Sequence, residues 1–164
     1  MHVAADTNVL LALAESNEDA GDAFEVLRRR APQLSRVIPP TVVRELVWFS
    51  ENSPESALQA AARTALASAA RQWHFHAARL NSVQQGIAER VATHLRWRGL
   101  LPEEERHDSL IVAEAALLNS ALLVTADGLL RGIDFPALTL ELRQFDLQAP
   151  VIAAPREICR KFFQ

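Results

Sequence analysis

Asp108-Ser109-Leu110-Ile111-Val112-Ala113-Glu114-Ala115-Ala116-Leu117-Leu118, followed closely by Ala121-Leu122-Leu123-Val124-Thr125-Ala126-Asp127, is the stretch that decides the fold. The first part reads as a helix. It opens at Pro102, with Glu103, Glu104 and Glu105 in a first turn where acids favour the helix dipole. It stops near Asn119. The second part is a short apolar run, as expected for a buried strand of a parallel sheet. A helix feeding such a strand is one unit of an α/β protein. The unit puts Asp108 near a helix start and Asp127 at a strand end, on one rim. Open α/β sheets bind ligands there, beyond the carboxyl ends of the strands.

The amino-terminal residues repeat the pattern. A strand is predicted over His2 to Ala5, ended by Asp6, with a helix from Thr7 to about Glu15. Ser16-Asn17-Glu18-Asp19 resembles a capping box and opens a second helix. That helix closes at Arg28-Arg29-Arg30, where basic residues suit the dipole. This reading is preferred to an RNA-binding patch. Arg36-Val37-Ile38-Pro39-Pro40 reads as a brief strand stopped by prolines. The helix that follows, Thr41 to Phe49, carries one acid, Glu45, about one turn in. Asp6, Glu45, Asp108 and Asp127 are therefore expected on a common rim. Clustered carboxylates repel one another unless a cation lies between them.

The remaining segments complete the expectation of one domain over 1–164. Ser53-Pro54-Glu55 predicts a helix start, running through alanines towards Trp73. Asn81 caps a second helix with Val83, Ile87, Val91 and Leu95 on one stripe, ended by Gly99. The pair is expected to form a helical hairpin around 53–99 beside the sheet. Leu138, Leu140 and Leu142 alternate with polar residues and predict a strand. Val151-Ile152-Ala153 predicts a last short strand, and Pro155-Arg156-Glu157 a terminal helix.

Composition excludes several classes. At 49% hydrophobic and 23% charged, the 164 residues have the balance of a globular chain with a real core. No apolar run approaches the roughly 20 residues needed to cross a bilayer. Val9 to Leu13 lacks a basic lead and follows Asp6, so it is not read as a signal peptide. Cys159 is the one cysteine, which rules out an internal disulfide and fits a cytoplasmic location. The net charge of −3 argues against nucleic acid at first sight. A cation neutralising the four acids would leave the rest of the chain slightly basic. Nearly all basic residues are arginine, with Lys161 the sole lysine, and arginine suits phosphate contacts. Genome-wide codon bias explains the same preference.

Four segments in register carry a family likeness: Asp6-Thr7-Asn8-Val9-Leu10-Leu11, Val43-Arg44-Glu45-Leu46, His107 to Ala115, and Leu123-Val124-Thr125-Ala126-Asp127. With them the chain resembles the PIN domain nucleases, including VapC-like toxins. The ending from Pro150 to Glu157 is similar to that of some toxin members. The resemblance implies a three-layer α/β/α sandwich with a parallel central sheet. It implies Mg²⁺- or Mn²⁺-dependent hydrolysis of RNA phosphodiester bonds, an antitoxin protein as partner, and a homodimer. Carried over by position, the metal-pocket and catalytic acids are Asp6, Glu45, Asp108 and Asp127, supported by Thr7, Asn8 and Thr125. The chain departs from many relatives after Asp127. Where they place another acid, it has Gly128, Leu129 and Leu130, with Asp134 further on.

Plainer readings stand beside these. An acid at a strand end is often only a helix cap, and Thr7 with Asn8 can form a local turn. Four acids on one rim favour the metal site. His74 and His76 are two apart on a predicted helix, so they diverge and are not read as zinc ligands. His107 could touch substrate. Trp48, Trp73 and Trp97 are expected in the core or a dimer interface. The absent acid after Asp127 motivates an alternative function, a catalytically weak PIN-like module that binds RNA or protein. Haloacid-dehalogenase-like chemistry needs an acid where Asn8 stands, and a response-regulator receiver needs a lysine earlier than Lys161. A glycine-rich phosphate loop is also lacking.

Overall fold

The computed structural model describes residues 1–162. In chain order the elements are β1 (His2–Ala5), α1 (Thr7–Ala14), α2 (Glu18–Arg30), β2 (Ser35–Ile38), α3 (Pro40–Asn52), α4 (Ser56–Ser68) and β3 (Phe75–Ala77). There follow α5 (Ser82–Trp97), α6 (Arg106–Leu117), β4 (Ser120–Val124), α7 (Gly128–Arg131), α8 (Phe135–Arg143), β5 (Val151–Ala153) and α9 (Pro155–Phe162).

The strands form one parallel sheet in the order β3-β2-β1-β4-β5. From β1 the chain steps outward to β2 and β3, then returns to the other side of β1 with β4 and β5. Right-handed crossovers in opposite directions put their helices on opposite faces of a sheet. The result is the expected α/β fold with helices flanking a parallel sheet. The direction reverses between β1 and β4, and crevices beyond the strands open at such a reversal.

Small residues let the layers close at the centre. Ala4 and Ala5 of β1 are buried, under helices that contribute Leu10, Leu46, Ile111 and Val112. Each large aliphatic side chain removed from water contributes about 1.5–3 kcal/mol. Local signals agree with these elements. Asn81 and Gln84 form a reciprocal capping box on α5, and Gly99 ends that helix region with a left-handed φ of 74°.

Several expectations are corrected. The helix predicted to run to Trp73 ends at Ser68, whose carbonyl accepts from both Gln72 and Trp73. The chain then turns through His74, at φ 57°, into β3. Phe75 is the anchor of that strand: buried, edge-on to Phe24 at 5.1 Å between centroids. His74 and His76 therefore lie on a turn and an edge strand, not on a helix. β3 also divides the hairpin expected around 53–99. α4 lies against α1 and α3, whereas α5 lies against α6 and α8. Pro102 to Glu105 is a turn ahead of α6 rather than its first turn.

The strand expected at Leu138 to Leu142 is helix α8. Asp134 caps it, accepting from the Ala137 N–H at 2.8 Å, and a proline occupies its first turn. Leu138 and Leu142 are buried one helical turn apart, while Leu140 is 62% exposed. Trp48 and Trp97 are not core residues, being 53% and 74% exposed, and Trp73 is partly buried. Among the described residues, no helix is long and apolar enough to cross a membrane.

Candidate functional site

Adjacent parallel strands deliver the first contacts of the site. β1 and β4 run side by side, and the Asp6 N–H extends their ladder by donating to the Val124 carbonyl at 3.0 Å. Asp6 and Thr125 therefore leave the sheet together. The Thr125 hydroxyl donates to Asp6 Oδ2 at 2.6 Å, and Asn8 Nδ2 donates to the same oxygen at 2.7 Å. Asp6 Oδ1 accepts from the Thr7 N–H at 2.6 Å, which caps α1. Asn8 closes the gap between the strand ends, as its Oδ1 accepts from the Ala126 N–H at 2.9 Å. The supporting positions Thr7, Asn8 and Thr125 thus surround Asp6.

Asp127 sits two residues beyond Thr125, whose hydroxyl accepts its N–H at 3.0 Å. One oxygen, Oδ1, caps α7 by accepting from Leu129 and Leu130 at 2.7 and 3.0 Å. Glu45 reaches the rim from α3. It accepts from the Thr7 hydroxyl on one oxygen and faces His107 Nδ1 at 2.8 Å on the other. Asp108 lies in the first turn of α6.

The charges of the other three acids reach Asp108. Burial pushes the Asp108 carboxyl up to about 7, and the charges of Asp6, Asp127, Glu105 and Glu45 add to the rise. Burial likewise raises Asp6. Its hydrogen bonds from Thr125, Thr7 and Asn8 oppose that rise, while the charge of Glu45 adds to it. An aggregate of carboxylates, with only the His107 imidazole beside Glu45 to offset it, is the kind of place a cation stabilises.

The donor set is all carboxylate oxygen, which suits Mg²⁺ or Mn²⁺ rather than a softer metal. The chemistry of these residues therefore fits such an ion. Their placement fits less well. Among the described residues, no group of three or more His, Cys, Asp or Glu side chains stands in a metal-holding arrangement. Asp6 and Glu45 have both oxygens engaged in hydrogen bonds, and Asp127 has one. Asp6 is buried, and Glu45, Asp108 and Asp127 are partly buried around it.

Two acids near the rim escape a reading of the sequence. Glu105 acts on Asp108, yet in the run Glu103-Glu104-Glu105 it looks like a dipole-favouring helix start. Glu114 is only 3% exposed in α6 and accepts from the Thr41 N–H and hydroxyl at 2.9 and 2.8 Å. It pins the first turn of α3, the helix that carries Glu45. An acid inside the apolar run Ile111 to Ala116 was the available signal. Asp134 caps α8 through one carboxylate oxygen.

A parallel sheet whose strand reversal carries an acidic rim defines this chain's class. No family model and no curated protein sequence matches it. A chain in the crystal structure of VapBC2 from Rickettsia felis bound to a DNA fragment from their promoter is similar to it. The likeness covers 94% of this chain and 98% of that one, with a TM-score of 0.62 and 16% identity. At that identity the likeness is one of fold, and it agrees with the PIN-like sandwich the sequence implies.

Proposed function

We propose that the chain is a metal-dependent ribonuclease that hydrolyses RNA phosphodiester bonds and is the toxin of a toxin–antitoxin pair. One observation carries the reading: Asp6 and Asp127 close neighbouring strands at the reversal and share Thr125, and Glu45 joins them through Thr7. The fold likeness to a chain of a VapBC2 complex supports an antitoxin partner. The exposed Trp48 and Trp97 support a homodimer. A cytoplasmic location goes with an RNA substrate.

Asp6, Glu45, Asp108 and Asp127 would hold Mg²⁺ or Mn²⁺. Such an ion supplies Lewis-acid charge at a phosphate oxygen and lowers the pKa of water. The chain's own groups prepare the rest. Thr125, Asn8 and the Thr7 N–H lock the Asp6 carboxylate in place before substrate arrives. Thr7 and His107 orient Glu45 from either side. Hydrolysis by water needs no serine or cysteine nucleophile.

The test is cleavage of total RNA with Mn²⁺ or Mg²⁺, with mapped cut sites, by the parent chain and by folded Asp6→Asn and Asp108→Asn variants. Parent cleavage lost in both variants supports the assignment. Equal cleavage by all three proteins rejects the site.

A second reading is favoured by the engaged oxygens of Asp6 and Glu45 and by the missing acid after Asp127. It is a catalytically weak module that binds RNA or protein. Calorimetry with Mn²⁺ beside the cleavage assay separates the two. Metal binding without turnover on a broad RNA panel favours the module.

A further inference from the structure

Helix α6 brings Asp108 to the rim, yet its first turn has no side-chain cap. Glu105 holds the capping position, and its carboxylate makes no capping hydrogen bond. A helix end without a cap leaves backbone N–H groups unpaired and frays. Asp6, by contrast, is held by Thr7, Asn8 and Thr125. The first turn of α6 is fastened from α5 instead. The buried Ser109 hydroxyl donates to the Arg106 carbonyl at 2.9 Å and accepts from Arg96 Nη1 at 2.5 Å. Arg106 and Ser109 bracket Asp108 in that turn.

The setting of Arg96 needs a reason. Its side chain is 9% exposed, and Nη2 donates to Thr93 Oγ1 at 3.4 Å along its own helix. Its Nε is buried with no hydrogen-bond partner. Among the described residues, the sole carboxylate within ion-pair reach is that of Glu103, at 4.0 Å and 74% exposed. A guanidinium buried with so little counter-charge is costly. A basic residue in the last turn of α5 suits the dipole. That benefit is equally open to an exposed side chain, so it does not account for the burial. What the burial achieves is a donor fixed on Ser109. Arg96 forms no ion pair with Asp108 itself, so its effect on that acid runs through Ser109.

We infer that Arg96 is a positioning residue for Asp108: by holding Ser109 it sets the first turn of α6, and with it the placement of the Asp108 carboxylate on the rim. The inference rests on the reading of that rim as a Mg²⁺ or Mn²⁺ site. Groups that orient a metal ligand without touching the metal contribute about 10- to 100-fold in affinity or activity. Arg96 comes from α5, a helix that carries none of the four acids, so the rim depends on how α5 packs against α6.

Mn²⁺ calorimetry on the full chain tests this. Arg96→Met keeps an apolar stem and removes the donors, and it is expected to bind Mn²⁺ about 10- to 100-fold more weakly than the parent. Ser109→Ala removes the acceptor and should weaken binding in the same direction, which keeps the test open if Arg96→Met does not fold. Leu142→Ala, destabilised in α8 instead, should bind Mn²⁺ like the parent. Amide hydrogen exchange without metal should quicken in the first turn of α6 of Arg96→Met and stay unchanged in β1. Circular dichroism checks each fold. If the parent binds Mn²⁺ and the folded Arg96→Met and Ser109→Ala proteins bind it equally well, the inference is overturned and the metal site stands. Equal weakening in Leu142→Ala assigns the loss to general instability and also overturns it. A parent that neither binds Mn²⁺ nor cuts RNA rejects the metal site, and the role of Arg96 falls with it.

Discussion

The Thr125 hydroxyl donates to Asp6 Oδ2 at 2.6 Å across 119 residues of sequence, and this bond ties together the two strand ends on which the acidic rim is built. Thr125 is fully buried and also accepts from the Asp127 N–H. Thr125→Val keeps the shape and removes the hydroxyl. It is expected to cost about 1–3 kcal/mol of stability, because buried partners lose their hydrogen bonds. Urea unfolding measures this. The same variant should lose most metal-stimulated RNA cleavage, since Asp6 is no longer held.

Asp108 gives the metal-free protein a pH dependence of defined sign. Its folded value of about 7 lies above the ordinary 3.8, so the unfolded chain releases this proton more readily. Its penalty is absent below the lower value, grows between the two, and is complete above about 7. Burial raises Asp6 and Glu114 in the same direction. With a chelator present, the urea midpoint should fall from acid to neutral pH. Asp108→Asn should lessen that fall, to a degree limited by solvent screening of a half-buried group. A parent and variant with parallel pH profiles would rule out this account.

Glu114 should matter far more than its ion-pair partner. It accepts twice from Thr41, while Arg44, 3.6 Å away, is 62% exposed. Glu114→Ala strands the buried Thr41 donors and is expected to cost about 1–3 kcal/mol. Arg44→Ala should cost less than about 1 kcal/mol, as exposed pairs do. Chemical denaturation of both variants compares them. A cleavage assay on Glu114→Ala reports whether pinning α3 also positions Glu45.

Helix α8 predicts an unequal leucine series. Leu142→Ala removes a fully buried side chain and should cost about 2–5 kcal/mol. Leu140→Ala, at a position 62% exposed, should stay within about 0.5 kcal/mol of the parent. Thermal or urea melts distinguish this pattern from a strand, in which Leu138, Leu140 and Leu142 would share one face and one cost.

The proposed homodimer has an equally direct check. Trp48→Ala and Trp97→Ala remove exposed aromatic surface and should weaken self-association with little effect on monomer stability. Sedimentation velocity at several concentrations reads the shift. A parent chain that is monomeric throughout removes the dimer from the proposal.

How much could be read in advance depended on where the physical information lies. Asp6 and Asp127 close apolar runs and Glu45 is the one acid in its predicted helix, so the sequence by itself determined a parallel α/β layout and which acids lie along its rim. Where the local pattern was ambiguous, it misled. Three alternating leucines satisfy a strand until the Asp134 cap and proline start a helix, and a three-residue edge strand is too short to show a period. Only the tertiary structure decided that β1 and β4 are neighbours. Their pairing makes Thr125 a partner of Asp6, crowds Asp108 with carboxylates from separate elements, and buries Glu114 beneath α3. Such facts depend on contacts between residues distant in the chain, and neither propensity nor periodicity encodes those contacts.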